Sequence, residues 1–239
     1  MHDHTALTQD RIGHLRERLE RETHQQICPL QVTAWQAPGE PVSFREATSA
    51  SYQPFPVGTW WGAPWSTWWL HVTGTLPADH RDDRVDLSVN LGFVGTWAGN
   101  QSEAMVYTAT GRLLRALNPR NHRVALNHGE LATRLAEQGE PLIGPDGRVE
   151  VWVEAAGNPD MTQHLGGPTN LGDRRTAGDE PLWQFQGAEL GVRRDEVWGL
   201  WLDVDVLDGL MRQLPSDSTH RAQLLLSLIH ISEPTRPRL

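Results

Sequence analysis

The chain has 239 residues, 38% hydrophobic and 21% charged, with a formal net charge of −9. This is globular composition, and a net-negative chain with scattered acids argues against nucleic acid as a partner. All 21 basic residues are arginine, which excludes lysine Schiff-base chemistry and a lysine-bearing phosphate loop.

No apolar run is long enough to span a bilayer, and the start "MHDHTALTQD" lacks a basic segment followed by an apolar one, so no membrane anchor or secretion signal is expected. Cys28 is the single cysteine. It can form no intrachain disulfide and fits a reducing, cytoplasmic setting. Nothing charged flanks it, so it reads as a small buried hydrophobe.

In chain order, residues 8–27 place Ile12, Leu15, Leu19 and Ile27 on one stripe, an amphipathic helix ended by Pro29. From about residue 30 the period becomes two. "LQVTAW", "WSTWWLHVTGTL" and "RVDLSVNLG" read as strands, the last with Val85, Leu87, Val89 and Leu91 inward and Asp86, Ser88 and Asn90 outward. "EAMVYTATGRLLRAL" reads as a hairpin turning at Thr110-Gly111, "RVEVWVEAAG" as a strand and the Gly/Pro-rich stretch 158–180 as a long loop. "DEVWGLWLDVDV" reads as a last strand, followed by "VLDGLMRQLP" and "SDSTHRAQLLL" as a helical hairpin. The expected fold is mainly β: an antiparallel β-sandwich of jelly-roll type, with an N-terminal amphipathic helix and a C-terminal helical hairpin. The expected boundaries are 1–28 for the helix, 29–205 for the sandwich, 206–225 for the start of a helical linker and 226–239 for a tail.

Residues 58–69, "GTWWGAPWSTWW", hold Trp60, Trp61, Trp65, Trp68 and Trp69. Along this strand Trp68, Leu70 and Val72 share one face, and Trp65, Trp69 and His71 the other. Aromatics on both faces imply that both are covered, so Trp65, Trp68 and Trp69 are expected to be mostly buried. Trp60 and Trp61, in the loop before the strand, are the candidates for stacking on a sugar. The remaining candidates are weak. "HDH" at 2–4 sits on a chain terminus, and "HRD" at 80–82 lacks the other parts of a kinase. Asp203 and Asp205 share a strand face with the spacing of paired carboxylates but read as a solvated edge. "GGPTNLG" joins no strand to a helix, and "NQS" at 100–102 matters only in a secreted protein. No catalytic constellation emerges from the residues alone.

Four collinear stretches, "WGAPWSTWWLHVTGTLP", "SEAMVYTATGRLLRALNPRNHRV", "VEVWVEAAGNP" and "ELGVRRDEVWGLWLDVDVLDGLMRQLPSDSTHRAQLL", resemble the N-terminal region of glycoside hydrolase family 38 α-mannosidases of the cytosolic and bacterial branch. Trp68 departs from that pattern, which has a small polar residue there. The resemblance implies an accessory helix and sandwich ahead of a catalytic domain that performs retaining hydrolysis of α-mannosides. It implies an aspartate nucleophile and a divalent cation, zinc or cobalt, in that enzyme. The family's "His-Ile-Asp" motif, which supplies the first metal ligands, does not occur here, so no catalytic or metal role is carried onto this chain and no cofactor is assigned to it.

The implied partner is the catalytic domain of the same enzyme, through which the sandwich would serve a carbohydrate substrate. The residues expected to face it are Asn118 and Arg120, the latter suited to bidentate bonds with a carboxylate, and Leu207, Leu210, Met211 and Leu214 on the exit helix. Without it, the apolar exit stripe would self-associate as a homo-oligomer. The end "LSLIHISEPTR", with two of the five isoleucines of this isoleucine-poor chain, reads as a translated sequencing-library adapter. Residues 226–239 are therefore expected to be foreign to the fold, with any order there due to helix propensity alone. The alternatives are a free-standing carbohydrate-binding module and a purely structural or oligomerisation domain.

Overall fold

A computed structural model of the chain describes residues 5–39, 41–95, 101–159 and 173–232. It forms two compact units, a β unit of residues 26–192 and a helical unit of residues 1–25 with 193–239.

In the β unit the expected sandwich is present. Six strands form one antiparallel sheet in the order β3-β2-β5-β10-β7-β8: β2 (Gln31–Gln36), β3 (Gln53–Pro54), β5 (Ser66–Thr75), β7 (Glu103–Thr108), β8 (Leu113–Leu117) and β10 (Arg148–Gly157). A second sheet runs β1-β12-β6-β9, from β1 (His24–Pro29), β12 (Gly187–Arg193), β6 (Val85–Asn90) and β9 (Arg123–Ala125). A two-stranded ribbon pairs β4 (Trp60–Trp61) with β11 (Trp183–Gln184).

The register explains the core. Val32, Val72 and Val151 lie side by side, as do Ala34, Leu70, Val153 and Val106. Across from them Leu87 pairs with Leu190 and Val124. The inward alternation of Val85, Leu87 and Val89, with Leu91, holds, and all four are fully buried.

Asp86 does not point to solvent as expected. It is buried, its Oδ1 2.6 Å from Nε2 of His128. His128 directly precedes an additional helix, α3 (Gly129–Glu137), which buries Ala132 and Leu135. A polar residue at an outward strand position is thus taken into the interior by a partner from 42 residues away. The hairpin turns as expected, with Gly111 at φ +87, where a Cβ would also lie 2.7 Å from the ring of Phe44.

The helical unit contains α1 (Thr5–Glu22), α4 (Asp195–Gln213) and α5 (Thr219–Ser232). Two expectations fail here. The first helix ends at Glu22 rather than near Ile27, because Thr23 turns its hydroxyl back to the Glu20 carbonyl at 2.7 Å and the chain then extends into β1. Residues 195–205 are the first half of α4 and not a strand, so the sandwich stops before the expected boundary at 205. Apolar residues stand on both alternating sets of "VWGLWLDVDV", so period two had no real contrast to detect. The helical spacing of Val204, Asp208 and Met211 selects the buried face.

Ile12, Leu15, Val204, Met211 and Leu228 form the core of this unit. Leu228 therefore packs, although it lies in the stretch read as foreign. Asp208 is buried among them, its Oδ2 2.9 Å from Arg212 Nε and 3.7 Å from Arg16 Nη1. No helix among the described residues is long and apolar enough to cross a membrane. Residues 2–4, most of the 158–180 loop, Asn100 of the "NQS" triplet and residues 233–239 lie outside the described residues.

Candidate functional site

The tryptophan stretch resolves into different roles. Trp69 is 1% exposed on the outer face of the six-stranded sheet. It lies beside Trp35 and Glu154 in register and stacks on Tyr107 at 5.6 Å. The segment 42–52 covers it. This segment includes α2 (Phe44–Ala47), started by Ser43, whose Oγ accepts the Glu46 N–H. Phe44 meets Trp69 edge-on at 5.9 Å and Tyr52 meets Trp152 at 5.3 Å, while His71 stacks flat on Trp152 at 4.0 Å. Nε2 of His71 lies 2.9 Å from Oε1 of Glu150. Trp68 faces the inner core and is partly buried against it.

Two assignments are corrected. Trp65 is 43% exposed rather than buried, because it stands in a left-handed turn (φ 65) before β5 begins, where strand alternation has no hold. Trp61 is 1% exposed, and its indole N–H donates to the Leu91 carbonyl at 2.8 Å. Pairing with Trp183 in the ribbon closes it into the core, so it has no face to offer a sugar. Its neighbour Trp60 is turned the other way and is 57% exposed, which leaves its ring available for stacking.

The interdomain candidates also divide. Asn118 and Arg120 are in the turn after β8, where Asn118 Oδ1 accepts from the Arg120 N–H at 3.0 Å and Asn118 bridges to Asn121. On α4, Met211 is fully buried and has no surface to offer another domain, while Leu207 is partly buried against the same helical core. Leu214 is partly buried, and Leu210 is exposed. The outward stripe of α4 is Leu202, Val206 and Leu210, each one helical turn apart.

Polar groups that could do chemistry are dispersed. Among the described residues no three of His, Cys, Asp and Glu come together to hold a metal, so no residue here is assigned to the cation implied for the α-mannosidases. His80 pairs with Asp83 at 2.8 Å in a surface turn, and Asp203 and Asp205 lie on α4. Cys28 is partly buried, and burial pushes its thiol pKa up, which favours the protonated form.

One depression on the outer face stands apart. Beside Pro41, which precedes the covering segment, a cleft of about 290 Å³ opens over β7, β8 and β10, lined by Pro41, Thr67, Glu103, Met105, Asn118 and Glu154 among others. Glu154 lies opposite Met105, and Glu103 opposite Ala156, so the two carboxylates are diagonal neighbours on one face. Glu154 Oε2 accepts from the Tyr107 hydroxyl at 2.8 Å, and Glu103 Oε1 from the Asn158 amide at 3.0 Å. Burial, together with the Glu154 carboxylate, pushes the Tyr107 hydroxyl pKa up to about 12, so it stays a donor. Period two marks both glutamates as outward. The pairing of β7 with β10, which brings them together, was not legible.

Residues 28–191 match the family model described as "Alpha-mannosidase, jelly roll domain". Human "Alpha-mannosidase 2C1" is 24% identical over 213 residues, covering 88% of this chain and 18% of that protein, so the chain spans about a fifth of that relative's length. Among solved structures, a Ruminococcus gnavus β-glucuronidase matches with a TM-score of 0.42 and 10% identity over 72% of this chain and 29% of its own. The same enzyme in complex with an N1-substituted uronic isofagomine matches with a TM-score of 0.40 and 10% identity over 71% and 29%. Likeness at that level says nothing about activity. With the jelly-roll match running through well over half of its length, the chain belongs to the alpha-mannosidase jelly roll domain family.

Proposed function

We propose that the chain serves as the N-terminal accessory sandwich of a cytoplasmic α-mannosidase and carries none of its catalytic groups. The family match over residues 28–191 supports this reading most directly. The partner is the catalytic region, which the α4 stripe of Leu202, Val206 and Leu210 and the turn at Asn118–Arg120 are suited to meet.

The test is hydrolysis of an aryl α-mannoside by the purified chain with zinc or cobalt added. No turnover above buffer is expected. Turnover that disappears on replacing Glu103 or Glu154 by glutamine would overturn the reading.

The exposure of Trp60 favours a second reading, a sugar-binding module. In that case Trp60→Ala removes binding to immobilised mannan without moving the unfolding midpoint. Under the accessory-domain reading there is no such binding to remove.

A further inference from the structure

We infer that the cleft beside Pro41 is a docking pocket for an arginine side chain of a partner polypeptide. Two features point to that occupant. The cleft is walled largely by apolar groups, with Met105 47% exposed on its floor. Its polar edge carries two carboxylates and an amide, Glu103, Glu154 and Asn118. Both carboxylates accept from neutral donors, Glu154 from the Tyr107 hydroxyl and Glu103 from the Asn158 amide. Like charges at neighbouring sheet positions repel, and no described residue forms an ion pair with either.

An occupant must therefore bring an apolar stem and a delocalised positive head. Arginine combines a three-carbon stem, which packs on apolar walls, with a planar fork of five donors that can serve two carboxylates and an amide oxygen at once. Lysine offers a more compact, strongly hydrated charge that suits such spacing less well. A neutral sugar would find hydroxyl acceptors here, but no aromatic side chain lines the cleft to take its apolar face. The inference goes beyond the accessory-domain reading and does not depend on it, since any protein partner bearing the arginine would satisfy it.

The test is a two-dimensional NMR titration of the intact chain with N-acetyl-arginine-N-methylamide. Shifts are expected at the amides of residues 103–105, 116–118 and 154–156, with a dissociation constant on the order of millimolar, as befits one side chain. The double variant Glu103→Gln/Glu154→Gln keeps acceptors for Tyr107 and Asn158. It should weaken binding by about tenfold while leaving the spectrum otherwise folded, and raised salt should act in the same direction. Ala116→Leu, which fills the cleft without touching the charges, should abolish the shifts. Equal shifts with the neutral N-acetyl-norleucine-N-methylamide, or shifts with methyl α-mannoside in place of arginine, would overturn the inference. So would no shifts at all, and none of these results bears on whether the chain hydrolyses mannosides.

Discussion

The β unit and the helical unit bury apolar surface in different ways. In the β unit each inward residue is fixed by partners on neighbouring strands that are distant in sequence, and a second, aromatic layer seals much of the outer face. In the helical unit five residues form the buried centre, the acidic side chain of Asp208 sits among them, and α4 turns Leu202, Val206 and Leu210 outward. The first arrangement is self-sufficient. The second is a small core with apolar surface left over, and most helical stability comes from packing an apolar face. The β unit should thus withstand perturbations that loosen the helices.

The largest effect expected is in the β unit. Trp69→Ala and Trp61→Ala should each cost about 3–5 kcal/mol in urea unfolding, as large aromatic truncations do, whereas Trp60→Ala should stay within about 0.5 kcal/mol. If the three variants share one midpoint, the division of the tryptophan stretch into core and surface is wrong.

In the helical unit, Leu228→Ala should lower the local stability of α1, α4 and α5 by about 2–5 kcal/mol, seen as lost hydrogen-exchange protection in those helices. Deleting residues 226–239 should do the same while leaving the midpoint of the β unit unmoved. An adapter origin of that stretch would concern its source alone, since Leu228 fills a hole in the helical core wherever it came from. A drop in the midpoint of the β unit would show that the two units unfold as one.

Removing Asp86 tests whether the polar pair beneath α3 matters to the sandwich. Asp86→Ala strands the partly buried His128 and should cost about 1–3 kcal/mol, and Asp86→Asn, which keeps an acceptor, less. Equal losses would mean that packing, and not the hydrogen bond, holds α3.

The smallest effect is on pH dependence. The Tyr107 pKa in the folded chain is raised from 10.0 to about 12, so the unfolded chain loses this proton first. Its contribution to stability is intact below pH 10 and is lost as pH rises towards 12. Tyr107→Phe should flatten the fall in urea midpoint across that window, and an unchanged slope would rule out this group as its origin.

The sequence by itself determined the sandwich. Strict alternation in "RVDLSVN" and "RVEVWVEAAG" places apolar side chains on one face whatever lies opposite, and Gly111 supplies the positive φ that its turn adopts. It also carried the family, through stretches spread along the chain. Tertiary structure decided what period cannot express. "VWGLWLDVDV" has apolar residues at both parities, so its helix was selected by the packing of Val204 and Met211 with Ile12, Leu15 and Leu228. Trp60 and Trp61 are adjacent and chemically identical, yet the ribbon pairing exposes one and buries the other. Asp86 reads as a solvent-facing acid until His128 is brought to it, and the cleft between Glu103 and Glu154 exists only because β7 lies against β10. Each of these depends on contacts between residues far apart in the chain, and local pattern carries no record of which distant neighbour will arrive.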